Sequence, residues 1–214
     1  MGDKSRPTMV LLHSFSTDHE LFKAQYDEAA LLDKVNFIGI DLLGHGATGG
    51  LTEEPLTYWD QARMVLEVLD ALKVEKVFIM GTSQGGFVAA RIALLQPGRV
   101  LGLVLLGTSL LEETSALGSW DIKALLGPAL PFLRGDGTPT PDFVLPQPFT
   151  DDVIGSGYGA GASEAQRKYV RAVHERLFIG DEGRRRYLMI ALYVLLPLSP
   201  SLFAPPLTSA QTAL

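Results

Sequence analysis

The chain has 214 residues, 18 Lys and Arg against 24 Asp and Glu, a formal net charge of −6, and 47% apolar residues. That length suits one domain, or one domain with a small insertion, and the composition excludes a disordered polymer, a collagen and a coiled coil. The acidic balance argues against a general nucleic-acid binder, and the absence of cysteine excludes a disulfide scaffold, a thiolate nucleophile and a Cys-ligated zinc or iron–sulfur site.

The N-terminus is polar, and the apolar run Met9 to Leu12 is too short for a secretory signal. A cytoplasmic protein is therefore expected. The first half then alternates strand and helix. Thr8 to His13 reads as a short strand, and Asp18 to about Leu32 as an amphipathic helix with Asp18 and Glu20 near its N-terminus. Val35 to Asp41 is a second strand, apolar enough to be covered on both faces. A Gly-rich stretch runs through Gly50. Leu56 to Leu72 follows as a helix, with Trp59, Ala62, Val65, Leu66, Leu69 and Leu72 at helical spacing. Lys76 to Met80 is a third strand, Gln84 to Gln96 a helix stopped by Pro97 and Gly98, and Val100 to Leu106 a fourth strand.

This alternation implies an α/β fold, a mostly parallel sheet with helices on both faces. Ligands of such sheets bind at the carboxyl ends of the strands. Residues 108 to 162 are rich in Gly, Pro, Ser and Thr with short helical pieces, and Ser163 to Phe178 is a charged helix. The expected division is a core over 8–110, a helical lid or cap insertion over 111–186, and an atypical C-terminal tail over 187–214. Within that tail, the apolar run Tyr187 to Leu196 follows three arginines and is broken by Pro197 and Pro200. It is too short for a membrane span of roughly 20 residues, so a buried helix or a tail is expected there and membrane association is not.

The chemistry lies in Gly81-Thr82-Ser83-Gln84-Gly85-Gly86, a G-x-S-x-G motif between a strand and a helix. A nucleophilic serine needs a very tight strand-to-helix turn so that its hydroxyl stands clear of the backbone. Side chains two before and two after it would collide with neighbouring backbone, and Gly81 and Gly85 remove them. The positive N-terminus of the helix at Gln84 favours a developing oxyanion, and Gly86 lets that helix approach the sheet. The alternative is an ordinary Gly-Ser turn.

In this motif the sequence resembles the α/β-hydrolase superfamily. Val10 to Phe15 is similar to the strand and H-G-aromatic loop of that family, and Asp41-Leu42-Leu43-Gly44-His45-Gly46-Ala47-Thr48 to its D-x-x-G-H-G-x-S segment. The resemblance covers roughly residues 8 to 108. It implies Ser83 as nucleophile and the backbone N–H groups of Phe15 and Gln84 as an oxyanion hole. Ser14 stands where the family usually has glycine. His13 and His45 are expected to organise their loops, and Asp41 to serve as a strand-end turn residue.

The resemblance also implies an acid and then a histidine after Ser83. The one histidine there is His174, in the charged helix, as either an acid/base group or a lid-packing residue. Glu112 or Glu113 is a candidate acid or a solvated helix start; Asp151 and Asp152 carry no motif. The family's last two strands and the strands before Thr8 are expected to be missing, as in a truncated product. Residues 160 to 186 hold seven Arg or Lys and four Asp or Glu, read as a solvated face.

Two functions follow from the resemblance. One is a serine hydrolase acting on an ester, lactone or related acyl bond through an acyl-enzyme on Ser83, its partner a small-molecule acyl substrate. The other is a catalytically impaired homologue that binds a ligand or a partner. Neither needs a cofactor or a metal. Self-association through an exposed sheet edge is a further expectation.

Overall fold

The computed structural model describes residue 3 and residues 5–51, 56–108 and 125–195. Strands β1 (Thr8–Leu12), β2 (Asn36–Ile40), β3 (Val77–Thr82) and β4 (Val100–Leu106) form a sheet in the order β2-β1-β3-β4. Every pairing is parallel, with Val10 opposite Ile38 and Ile79, and Met80 opposite Val104. Parallel neighbours need crossover connections, and the helices between the strands supply them. The order reverses between β1 and β3, so the crevice beyond the carboxyl ends of these two strands is the topological switch point where open α/β sheets take ligands.

The central strands are the buried ones. Val10, Leu11 and Leu12 of β1 and Val77 and Ile79 of β3 are wholly shielded from solvent. Val10, Leu12, Val77 and Ile79 join one core with Val65, Leu66 and Leu69 of helix α3 (Tyr58–Ala71) and Phe87, Val88 and Ile92 of α4 (Gln84–Leu95). α3 starts at a capping box in which the Thr57 side chain accepts from the Asp60 N–H and Asp60 accepts from the Thr57 N–H. The edge strands depart from the expectation of two covered faces. β2 is half-buried, and along β4 Leu101 is 50% exposed, with Leu103 to Leu106 also open to solvent. No strand pairs with the outer edge of β4 among the described residues.

The helix expected over Asp18 to Leu32 is instead three short pieces: a 3-10 turn His19–Phe22, α1 (Lys23–Asp27) and α2 (Ala29–Leu32). Asp18 caps the first by accepting from the Glu20 N–H, while Glu28 takes an extended conformation and caps α2. The break lets Tyr26 lie against β2, where a Cβ on Gly39 would meet its hydroxyl at 2.0 Å.

After β4 the described chain is helical: a 3-10 turn Gly127–Ala129, α5 (Leu130–Arg134), α6 (Gln147–Tyr158), α7 (Glu164–Leu177) and α8 (Gly180–Leu195). The 12-residue α6 is longer than the short pieces expected there. α8 runs through the expected boundary at 186/187, and its Tyr187, Met189, Ile190 and Ala191 are buried. Its apolar run therefore packs against protein, and no helix among the described residues is long and apolar enough to cross a membrane. Arg184 fixes this segment by donating to the carbonyls of Leu133 and Arg134, each at 2.7 Å.

Candidate active site

Ser83 sits between β3 and α4 with φ 48° and ψ −113°. This is a sparsely populated conformation for a residue with a side chain; it costs about 1–3 kcal/mol and persists only where its surroundings impose it. They do so through backbone contacts. The Ser83 N–H donates to the Leu106 carbonyl at 2.8 Å, tying the turn to the end of β4. A Cβ on Gly81 would lie 2.3 Å from the Gly85 carbonyl oxygen, and one on Gly85 would lie 2.1 Å from that of Leu12. Gly86 is as crowded, its added Cβ falling 2.4 Å from the Thr108 methyl. The close approach is thus to the chain just after β4.

Two backbone N–H groups flank this serine, and peptide geometry sets their direction. In a trans peptide the carbonyl and the following N–H point opposite ways. The Ser83 carbonyl accepts from Gly86 and Phe87, at 2.9 and 3.2 Å, which turns the Gln84 N–H outward at the start of α4. The Ser14 carbonyl accepts from the Thr17 N–H, the Thr17 hydroxyl and His13 Nδ1, which turns the Phe15 N–H away from its own loop. Neither N–H has a backbone acceptor among the described residues. Ser14, Phe15, Ser83 and Gln84 line one partly open cavity of about 50 Å³, together with Tyr58, Leu125 and Val153 among others. It has room for a few waters.

His13 organises this loop. Its Nε2 accepts from the Leu42 N–H at 3.0 Å, so the proton must reside on Nδ1, which donates to the Ser14 carbonyl at 2.8 Å. The ring is fully buried, and burial holds its pKa below the ordinary histidine value. The His45 ring lies beside it, tilted by 53° with centroids 4.8 Å apart, and burial depresses its pKa strongly as well. Asp41 ties down the turn after β2 by accepting from the N–H groups of His19 and Ala47, each at 2.8 Å. Burial opposes its ionisation, but these bonds and the His19 ring lower its pKa on balance.

The structure places His174 elsewhere. Its Nε2 lies 3.1 Å from the Ser16 hydroxyl and its Nδ1 3.1 Å from that of Thr150, so both ring nitrogens are occupied away from Ser83. Burial lowers its pKa to about 4. Asp151 pairs with Arg171 at 2.8 Å, and Asp152 is exposed. Glu112 and Glu113 lie outside the described residues. The polar residues that sequence reasoning missed are Ser16, Thr150 and the Asp18–Tyr169–Arg176 cluster. No local motif marks them, because each gains its meaning from a partner distant in the chain. Among the described residues no cluster of His, Asp and Glu could hold a metal ion.

A parallel sheet with a strained serine at its switch point defines a class. Residues 7–146 match the alpha/beta hydrolase fold family, and the chain belongs to that family. Over 98 residues it is 33% identical to 3-oxoadipate enol-lactonase 1 of Acinetobacter baylyi, covering 46% of this chain and 35% of the relative. Over 109 residues it is 34% identical to a putative 2-succinyl-6-hydroxy-2,4-cyclohexadiene-1-carboxylate synthase of Bacillus subtilis, covering 50% and 39%. The chain thus spans little more than a third of the length of these curated relatives. Among solved structures, the enol-lactonase of Burkholderia xenovorans superposes with a TM-score of 0.67 at 20% identity, covering 90% of this chain and 67% of that one. An esterase of Thermogutta terrifontis gives 0.65 at 22% identity, covering 86% and 63%. At such identities the likeness is one of fold.

Proposed function

We propose that this protein is a serine hydrolase of small esters or lactones, reacting through an acyl-enzyme on Ser83. The observation that carries the reading is the strained Ser83 turn sharing a cavity with Phe15 and Gln84. Ser83 Oγ attacks the carbonyl carbon, and the oxyanion accepts from the N–H groups of Phe15 and Gln84. As the C–O bond breaks, the proton lost by Ser83 ends on the leaving alkoxide; in a lactone that alcohol stays tethered to the acyl group. Water then cleaves the Ser83 ester, releasing the acid and restoring the hydroxyl. The names of the enol-lactonase and esterase relatives support this substrate class. Turnover of p-nitrophenyl acetate and of a small lactone tests it: activity above buffer that disappears in Ser83→Ala is expected, and equal rates for the two proteins overturn it.

A second reading rests on His174, whose ring nitrogens meet Ser16 and Thr150 rather than Ser83. Without a base, a hydrolase site still binds acyl ligands and retains about 10³–10⁴-fold catalysis over water from the oxyanion hole and binding. Ligand binding by calorimetry with turnover confined to that residual level favours it. The exposed apolar edge at β4 supports, for either reading, association of one copy with another.

A further inference from the structure

We propose that His174 is a positioning residue: by bonding Ser16 it fixes the Ser14–Asp18 loop, and so aims the Phe15 N–H at the Ser83 cavity. The role rests on the acyl-transfer reading above. Ser16 is wholly buried and holds φ at 51°, the left-handed region that non-glycine residues enter at a cost of roughly 1–2 kcal/mol. A residue persists there only where its surroundings over-determine it. His174 supplies much of that constraint, with the Tyr187 hydroxyl also against the Ser16 side chain. It is 4% exposed, its Nε2 meets the Ser16 hydroxyl, and Thr150 on α6 anchors its other nitrogen. The rings of Phe178 and Tyr187 stand edge-on to the imidazole at 5.6 and 5.9 Å, fixing its plane.

The same helix grips the loop a second time. The Tyr169 hydroxyl lies 2.8 Å from Asp18 Oδ1, and Arg176 pairs with Asp18 Oδ2. Asp18 is buried and also caps the 3-10 turn. The segment carrying Phe15 is therefore held from inside the core by His13 and from α7 by His174 and its neighbours. Phe15 itself packs against Tyr187, centroids 5.7 Å apart. Displacing α7 would release the Ser16 backbone and let the Phe15 peptide rotate. One half of the oxyanion site is thus built by the core and the other by the helical segment.

Two substitutions separate positioning from bulk packing. The amide of His174→Gln reaches the place of Nε2 and keeps the Ser16 bond; that of His174→Asn reaches only the place of Nδ1 and keeps the Thr150 bond. Both are compared with wild type by amide hydrogen exchange over residues 13–18 and by the rate of fluorophosphonate labelling of Ser83, at a temperature where thermal melts show all folded. For His174→Asn, exchange about five- to tenfold faster and labelling slower by a similar factor are expected, the equivalent of one lost hydrogen bond; His174→Gln should stay near wild type. Ser16→Ala, which leaves the histidine intact but also removes the Tyr187 contact, should show at least the effect of His174→Asn and replaces it if that variant does not fold. Wild-type exchange and labelling in both Ser16→Ala and His174→Asn would overturn the positioning role. Absence of label on wild type would overturn the acyl-transfer reading and the role with it, while exchange would still show whether His174 orders the loop.

Discussion

The two halves of the candidate site are built on different physics. The Ser83 turn is fixed by close backbone approaches: Gly81 against Gly85, Gly85 against Leu12, and the Ser83 N–H on the Leu106 carbonyl. The Ser14–Asp18 loop is fixed by side chains, the adjoining His13 and, from α7, Tyr169, His174 and Arg176. Steric exclusion tolerates no substitution, whereas a polar clamp can be weakened by degrees. The turn should therefore fail abruptly when perturbed and the loop gradually.

The largest effect should come from Gly85→Ala. Its methyl would stand 2.1 Å from the Leu12 carbonyl oxygen and 2.8 Å from that of His13, both backbone atoms that cannot swing away. A loss on the order of 3 kcal/mol in urea unfolding, or failure to fold, is expected; an unfolding midpoint like that of wild type would break the contrast. Next comes His13→Leu, which keeps a similar bulk but strips partners from the buried Leu42 N–H and the Ser14 carbonyl. About 2 kcal/mol of destabilisation is expected, with Ser83 labelling slowed more than the stability loss alone explains.

Acid should loosen the loop side through its histidines. Burial depresses the pKa values of His13, His45 and His174, the last to about 4. The unfolded chain, with ordinary histidines near 6.5, then binds more protons than the folded one. Stability is fully present above about 6.5 and declines as pH falls. For His174 the loss is complete near pH 4. Each such histidine adds a slope of at most about 1.4 kcal/mol per pH unit. His174 faces Ser16, Thr150, Phe178 and Tyr187, and together with Thr150, Arg171 and Glu175 it lines a second cavity, separate from that at Ser83. At His19, partly exposed, burial lowers the pKa but the bond to Asp41 and its charge raise it on balance, so this residue works in the opposite direction. Chemical denaturation from pH 7 to 4 should show a shallower slope in His174→Gln, and an unchanged slope would place the titration elsewhere. The smallest effect concerns the sheet edge. Leu103→Lys on β4, where Leu103 is 38% exposed, should reduce association in sedimentation velocity while changing stability by less than about 0.5 kcal/mol.

The same contrast explains what was legible in the sequence. The four strands, α3 and α4 follow from apolar runs and their spacing, α7 from its charged sequence, and the Ser83 turn from the G-x-S-x-G pattern, because those signals are written in consecutive residues even where the contacts that enforce them, such as Gly85 on Leu12, are distant. The break at Glu28 was not legible. The amphipathic pattern over Asp18 to Leu32 is compatible with one helix, and the seat of Tyr26 against Gly39 decides otherwise. The apolar run after the three arginines read as either a buried helix or a tail; what selects the helix, the buried anchorage of Arg184 on the carbonyls of Leu133 and Arg134, is a tertiary fact. The partners of His174 were hidden for the same reason. A lone histidine in a charged helix carries no sign that its ring bridges Ser16 and Thr150.

The most direct test is to treat the folded protein with a fluorophosphonate and map the adduct by peptide mass spectrometry. A single covalent phosphonate on Ser83, lost in Ser83→Ala, is the predicted result. An unmodified Ser83 in folded protein, or a label on other residues alone, would contradict an activated hydroxyl at that turn.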